Sequence, residues 1–133
     1  MIHLGAWAIL PAAILGFLVG GFWYGPLLGK AWQAARGLSD AQLNSANVAL
    51  IFGLTFLLNL FSAAALAHVM DFTGLTGLHY GVMIGGVAAL GFIIPAMGVN
   101  YLFARLPLKL FLIDAGYWLV IYVLMGVLLG LIL

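Results

Sequence analysis

Four stretches of this chain, residues 4–25, 48–70, 80–104 and 110–132, each exceed twenty residues and share one charged side chain, Asp114. A hydrocarbon core about 30 Å thick takes about 20 apolar residues of helix to cross. Lipid offers backbone amides no partner, so each stretch must satisfy its own, as an α-helix does. The expected fold is all-α: a polytopic bundle of four transmembrane helices, one integral-membrane domain over residues 1–133.

Composition agrees. Only 5% of the 133 residues are charged, against about a quarter in soluble domains. Seven charges cannot cover a globule of this size, so the lipid bilayer is the expected partner. A net charge of +1 leaves no basic surface for nucleic acid. The absence of cysteine excludes disulfides and thiolate metal sites. The opening "MIHLGAWAIL" lacks a basic leader and a cleavage motif, so residue 1 onward reads as mature protein.

The connections set the expected orientation. Lys30 and Arg36 lie in the first loop, Arg105 and Lys109 in the third, and the second loop has neither Lys nor Arg. The positive-inside rule makes that basic end cytoplasmic. The expectation is a multi-pass protein of the inner (cytoplasmic) membrane with both termini outside. Within the first loop, Leu28, Ala31, Trp32 and Ala35 recur at helical spacing opposite Lys30, Gln33 and Arg36. That pattern predicts a short interfacial helix with Trp32 at headgroup depth. Gly37 should cap it, and "SDAQ" at 39–42 is a capping box for a second helix. The pattern leaves open whether that helix runs on into the second span.

Small residues mark where helices should approach closely. Gly16/Gly20, Gly21/Gly25, Gly81/Gly85 and Gly126/Gly130 are GxxxG pairs, and Thr55, Asn59, Ser62 and Ala65 form a small, polar seam. They predict a compact bundle with a face left for a second copy, hence a homo-oligomer.

Asp114 is the candidate for chemistry. It lies five residues after Lys109, and Asn100 lies five before Arg105. In an antiparallel hairpin both sit ~7 Å inside the boundary. Tyr117, Tyr24 and Thr55 approach the same layer from the other spans. A carboxylate there must find donors, be protonated or reach water. One reading is a hydrogen-bonded clasp through Asn100 or a tyrosine hydroxyl. The other is a titrating acid on a proton or ion path. At the opposite end, His3, His68, His79 and Asp71 have the donor types of a zinc or copper site. No HxxxH spacing supports a metal there, and histidine is equally at home at an interface. No nucleophile–base pair, phosphate loop or thiolate appears, so neither catalytic residues nor a cofactor are expected.

Two motifs carry a resemblance. "FWYGPLLGKAWQAARGLS" at 22–39 and "NYLFARLPLKLFLIDAGYWLV" at 100–120 resemble the signature ends of a bacterial integral-membrane family known as domain of unknown function 1761. The likeness extends over the chain in length and span order. It implies a four-span membrane protein and brings no catalytic activity. The position of Asp114 resembles asparagine more often in that family, which implies a hydrogen-bonding role. The expected function is a membrane-embedded structural or interaction module. The alternative is an oligomeric transporter or channel using the layer around Asp114 and Asn100.

Overall fold

The computed structural model describes residues 3–133, with side chains from Trp7 onward, and these are helical with no strand. Helix α1 (His3–Phe22) runs into a π-helical turn, Trp23–Leu27. Two short helices follow, α2 (Gly29–Arg36) and α3 (Asp40–Asn44), and then the long α4 (Val48–Thr73). Helix α5 (Leu78–Val87), a π-helical turn (Ala88–Ile93) and α6 (Ile94–Phe103) make one continuous rod. Helix α7 (Leu108–Ile132) closes the chain. Among the described residues, four runs are long and apolar enough to cross a membrane: Trp7–Leu27, Val48–Thr73, Leu78–Phe103 and Leu108–Ile132. They are spans one to four, and their limits lie within a few residues of the expected ones.

Span four is the hub, packing against span three on one flank and span one on the other, with span two laid on span one. The two flanks use different means. Against span three, Gly126 and Gly130 meet Gly81, Gly85 and Gly77 backbone to backbone, and the Gly77 amide donates to the Gly130 carbonyl at 2.8 Å. A Cβ on Gly81, Gly85 or Gly126 would collide with a carbonyl of the facing helix. In lipid, such close approach rather than hydrophobic exclusion holds helices together. On the other flank, Ala8 and Ala12 of span one and Ala63 and Ala67 of span two leave room for larger side chains. Ile121, Met125 and Leu129 of span four fill it and are fully buried.

The glycine pairs are thus not equivalent. Gly16 and Gly20 face Met125 and Tyr117, whereas Gly21 and Gly25 meet open space. Span three bends its hydrogen-bonding pattern for a reason. Pro95 has no N–H for the carbonyl four residues back, and its ring crowds that turn. The π turn immediately before it absorbs the mismatch, as such bulges do.

In the first loop, Gly37 caps α2 with φ of 73°, and Ser39 and Gln42 make the reciprocal capping box of α3. The second helix does not run into span two. It stops at Asn44, and Asn47 begins span two afresh by accepting from the Leu50 amide at 3.1 Å. Ser45 and Asn47 compete with helix by bonding local backbone, which favours a turn here. Gln33 donates to the Leu38 carbonyl and to Asp40, fastening α2 to α3.

The packing gives opposite signs for one substitution. Gly126→Ala puts a methyl group into the Gly81 carbonyl and should lower stability in detergent by ~1–3 kcal/mol, the usual cost of overpacking. Gly53→Ala, in span two, meets nothing and should be neutral or stabilising by up to ~1 kcal/mol from helix propensity. Thermal or denaturant unfolding of the two variants beside the parent checks both.

Candidate functional site

Buried residues on span four recur as Leu110, Ile113, Asp114, Tyr117 and Ile121, the three- and four-residue steps of a helix face turned to its neighbours. Asp114 therefore belongs to the packed stripe, and it is only 8% exposed. Pro107 immediately precedes the helix, so the carboxylate sits in its second turn.

Each oxygen of Asp114 has its own donor, from a different span. The Tyr24 hydroxyl, carried by the π turn that ends span one, donates to Oδ1 at 2.6 Å. The Tyr101 hydroxyl, from span three, donates to Oδ2. Beside Tyr24, the Trp23 indole N–H donates to the Ile113 carbonyl at 3.0 Å. Its ring lies against Gly116, where a Cβ would come within 3.0 Å. Asp114 thus ties spans one and three to span four. An ionised carboxylate only accepts hydrogen bonds, so two phenol donors on separate oxygens serve it without competition. Edge-on aromatic contacts cover the group: Tyr24 with Tyr117 at 5.1 Å, Tyr101 with Phe111 at 5.8 Å, and Tyr24 with Trp32 of α2 at 6.0 Å.

Asn100 is not the partner. It is exposed, and its neighbour Tyr101 makes the bond. The sequence argument matched depth and left direction around the helix open. On a straight helix, Asn100 would lie about 60° from the Gly85 direction and Tyr101 about 160° from it. The π turn, Ala88–Ile93, shifts everything after it by roughly one residue, about 100°, which brings Tyr101 to where Asn100 would have stood. Pro95 was the available signal, but it announces a distortion without giving its size.

Tyr117 shares the face of Asp114 but donates to the Gly16 carbonyl at 3.3 Å, a further tie between spans four and one. Thr55 is half-buried and bonds to none of these groups. Span two contributes a turn deeper, through Asn59, 1% exposed beside Gly16 and with no hydrogen-bond partner for Nδ2 among the described residues. One turn further, Ser62 accepts from Tyr122 at 2.9 Å.

At the other end, His68 stacks on Phe72 and His79 meets Tyr80 edge-on. Both histidines and Asp71 are exposed. Among the described residues, no three His, Asp or Glu side chains gather as a metal set. The side chain of His3 lies outside the described residues.

The clasp predicts a graded response. Asp114→Asn should be mild, since the amide accepts from one phenol and donates to the other. Asp114→Leu leaves both phenols unpaired and should cost more, at about 0.6 kcal/mol per bond and seldom above ~1.7. Asn59→Leu should be neutral or stabilising, because it removes a buried amide nitrogen that has no hydrogen-bond partner among the described residues. Reversible unfolding in detergent ranks all three.

The stretches that deliver Tyr24 and Tyr101 to Asp114, residues 22–39 and 100–120, also carry the family resemblance. A family model described as "Protein of unknown function (DUF1761)" matches residues 7–130. No curated protein and no solved structure matches. The match spans nearly all of the described chain, and the protein belongs to this family of unknown function.

Proposed function

We propose that this chain is a structural or interaction module of the cytoplasmic membrane, with both termini outside, that works as a homo-oligomer and carries no catalytic site. The observation that carries this reading is the saturation of Asp114. The one charged group within the spans has both oxygens engaged by tyrosines from other spans. A carboxylate used in this way is committed to holding helices together. The orientation rests on Lys30, Arg36, Arg105 and Lys109, all at one end of the bundle. Self-association is supported by Gly21 and Gly25, which meet open space in the single chain.

One observation favours a transporter. Asp114, Tyr24, Tyr117 and the unpaired amide of Asn59 descend in order from the basic end toward the middle of the bundle. Beyond Asn59 the hydroxyls of Ser62 and Tyr122 are bonded to each other, and the buried core is apolar, with Met70, Ile121, Met125 and Leu129 fully buried. That plug makes the polar ladder a blind half-path in one copy, which is why the module reading is preferred.

Reporter fusions at residue 75 and at the C-terminus should both report an outside location; a cytoplasmic C-terminus overturns the orientation. Purified protein in liposomes should show no proton-coupled flux. Flux in the parent that disappears in a normally folded Asp114→Asn variant would establish the transporter instead.

A further inference from the structure

The apolar face of α2 is spent on the protein itself. Trp32 is half-buried and meets Tyr24 edge-on at 6.0 Å, and the helix packs against span four. Arg36 follows Trp32 by four residues and so lies on the same side of the helix. Its guanidinium comes close enough to Tyr101 for its charge to act on the hydroxyl. Trp32 thus reaches Tyr24 and Arg36 reaches Tyr101, the two donors of Asp114. Helix α2 spans the mouth of the clasp from one tyrosine to the other.

The turn after span three adds a second guanidinium, one turn of chain from Tyr101. The Leu106 amide donates to the Tyr101 carbonyl at 3.0 Å, closing the chain back over Arg105. Arg105 holds φ of 57°, the left-handed conformation that helix ends usually give to glycine. Arg36, Arg105, Lys30 and Lys109 are all exposed, and little within the chain answers their charge. Of the three acidic side chains, Asp71 lies at the histidine end and Asp114 is held by its phenols. Asp40 accepts from Gln33 at 2.8 Å. With Trp32 turned inward, α2 exposes only Lys30, Ala34 and Arg36, so charge is what it offers the membrane. At headgroup depth the counter-charges are lipid phosphates, whose oxygens match the fork of a guanidinium. Each basic residue near an anionic bilayer surface strengthens binding about fivefold.

We propose that Arg36 and Arg105 hold the phosphate of an anionic phospholipid from the leaflet at the basic end, and that the bound headgroup pins α2 over the Asp114 clasp. The inference rests on the membrane reading above and adds the class of partner. Melting of the purified chain in neutral detergent tests it, with phosphatidylglycerol, phosphatidylcholine or inorganic phosphate added. A ligand of the folded state alone raises the melting temperature as its concentration passes the dissociation constant. Phosphatidylglycerol should raise it, and added salt should shrink the rise, since exposed charges are screened. Phosphatidylcholine and inorganic phosphate should leave it unchanged. Arg36→Gln should need about fivefold more phosphatidylglycerol for the same rise. Arg105→Gly relieves the backbone, so without lipid it should melt at or above the parent, yet need about fivefold more lipid. An equal rise with phosphatidylcholine, an unaltered response in either variant, or a rise that resists salt overturns the proposal. The same rise with inorganic phosphate makes this a site for the free anion and overturns the lipid. Release from membranes by alkaline carbonate would defeat the membrane reading itself, whereas a membrane-retained protein indifferent to phosphatidylglycerol defeats only this site.

Discussion

A carboxylate placed in hydrocarbon must be met by donors, because water is absent and an unpaired charge there costs several kcal/mol in effective terms. The structure meets Asp114 with two phenols from two helices. That demand fixes the end of span one, where the π turn carries Tyr24 and Trp23 to the first turns of span four. It also fixes the rotation of span three below Pro95, where Tyr101 must face inward. The two flanks of span four are thereby brought into register at the basic end. Toward the other end the glycine contact on one side and the alanine-lined contact on the other complete the bundle.

The three helix contacts of span four divide the work by chemistry. Glycine against glycine gives span three its proximity, small against large gives spans one and two their packing, and hydrogen bonds give the cluster its specificity. Individually each hydrogen bond is modest in a membrane, about 0.6 kcal/mol. Their value lies in choosing one rotation of each helix among apolar surfaces that would otherwise slide. Where no such device operates, between spans two and three, the helices part and a crevice opens.

Much of this was legible in the sequence. Four apolar runs of membrane-spanning length, the capping box at Ser39 and the glycine pairs of spans three and four follow from local rules that tertiary packing did not override. Asp114 and Tyr24 were legible as members of one layer because depth in a bundle follows from counting residues. Direction around a helix does not survive a bulge, so of the two partners expected for Asp114, Asn100 or a tyrosine hydroxyl, counting alone did not choose, and the tyrosine hydroxyls make the bonds. Thr55 was expected in that layer but bonds to none of its groups, and the buried polar side chain of span two is Asn59, a turn deeper, because depth gives no account of how far a side chain extends. The crevice had no sequence signal, since it arises from which pairs of spans fail to pack.

The central claim is that Asp114 acts as a joint between two tyrosines and not as a free acid. A mutant cycle tests it most directly, combining Tyr24→Phe and Tyr101→Phe with Asp114→Leu and reading reversible unfolding in detergent. Each tyrosine substitution should destabilise the protein that retains Asp114 and have almost no effect once leucine stands there, a coupling of about 0.6 kcal/mol and up to ~1.7 for each pair. Equal losses in the two backgrounds, which is zero coupling, would contradict the account.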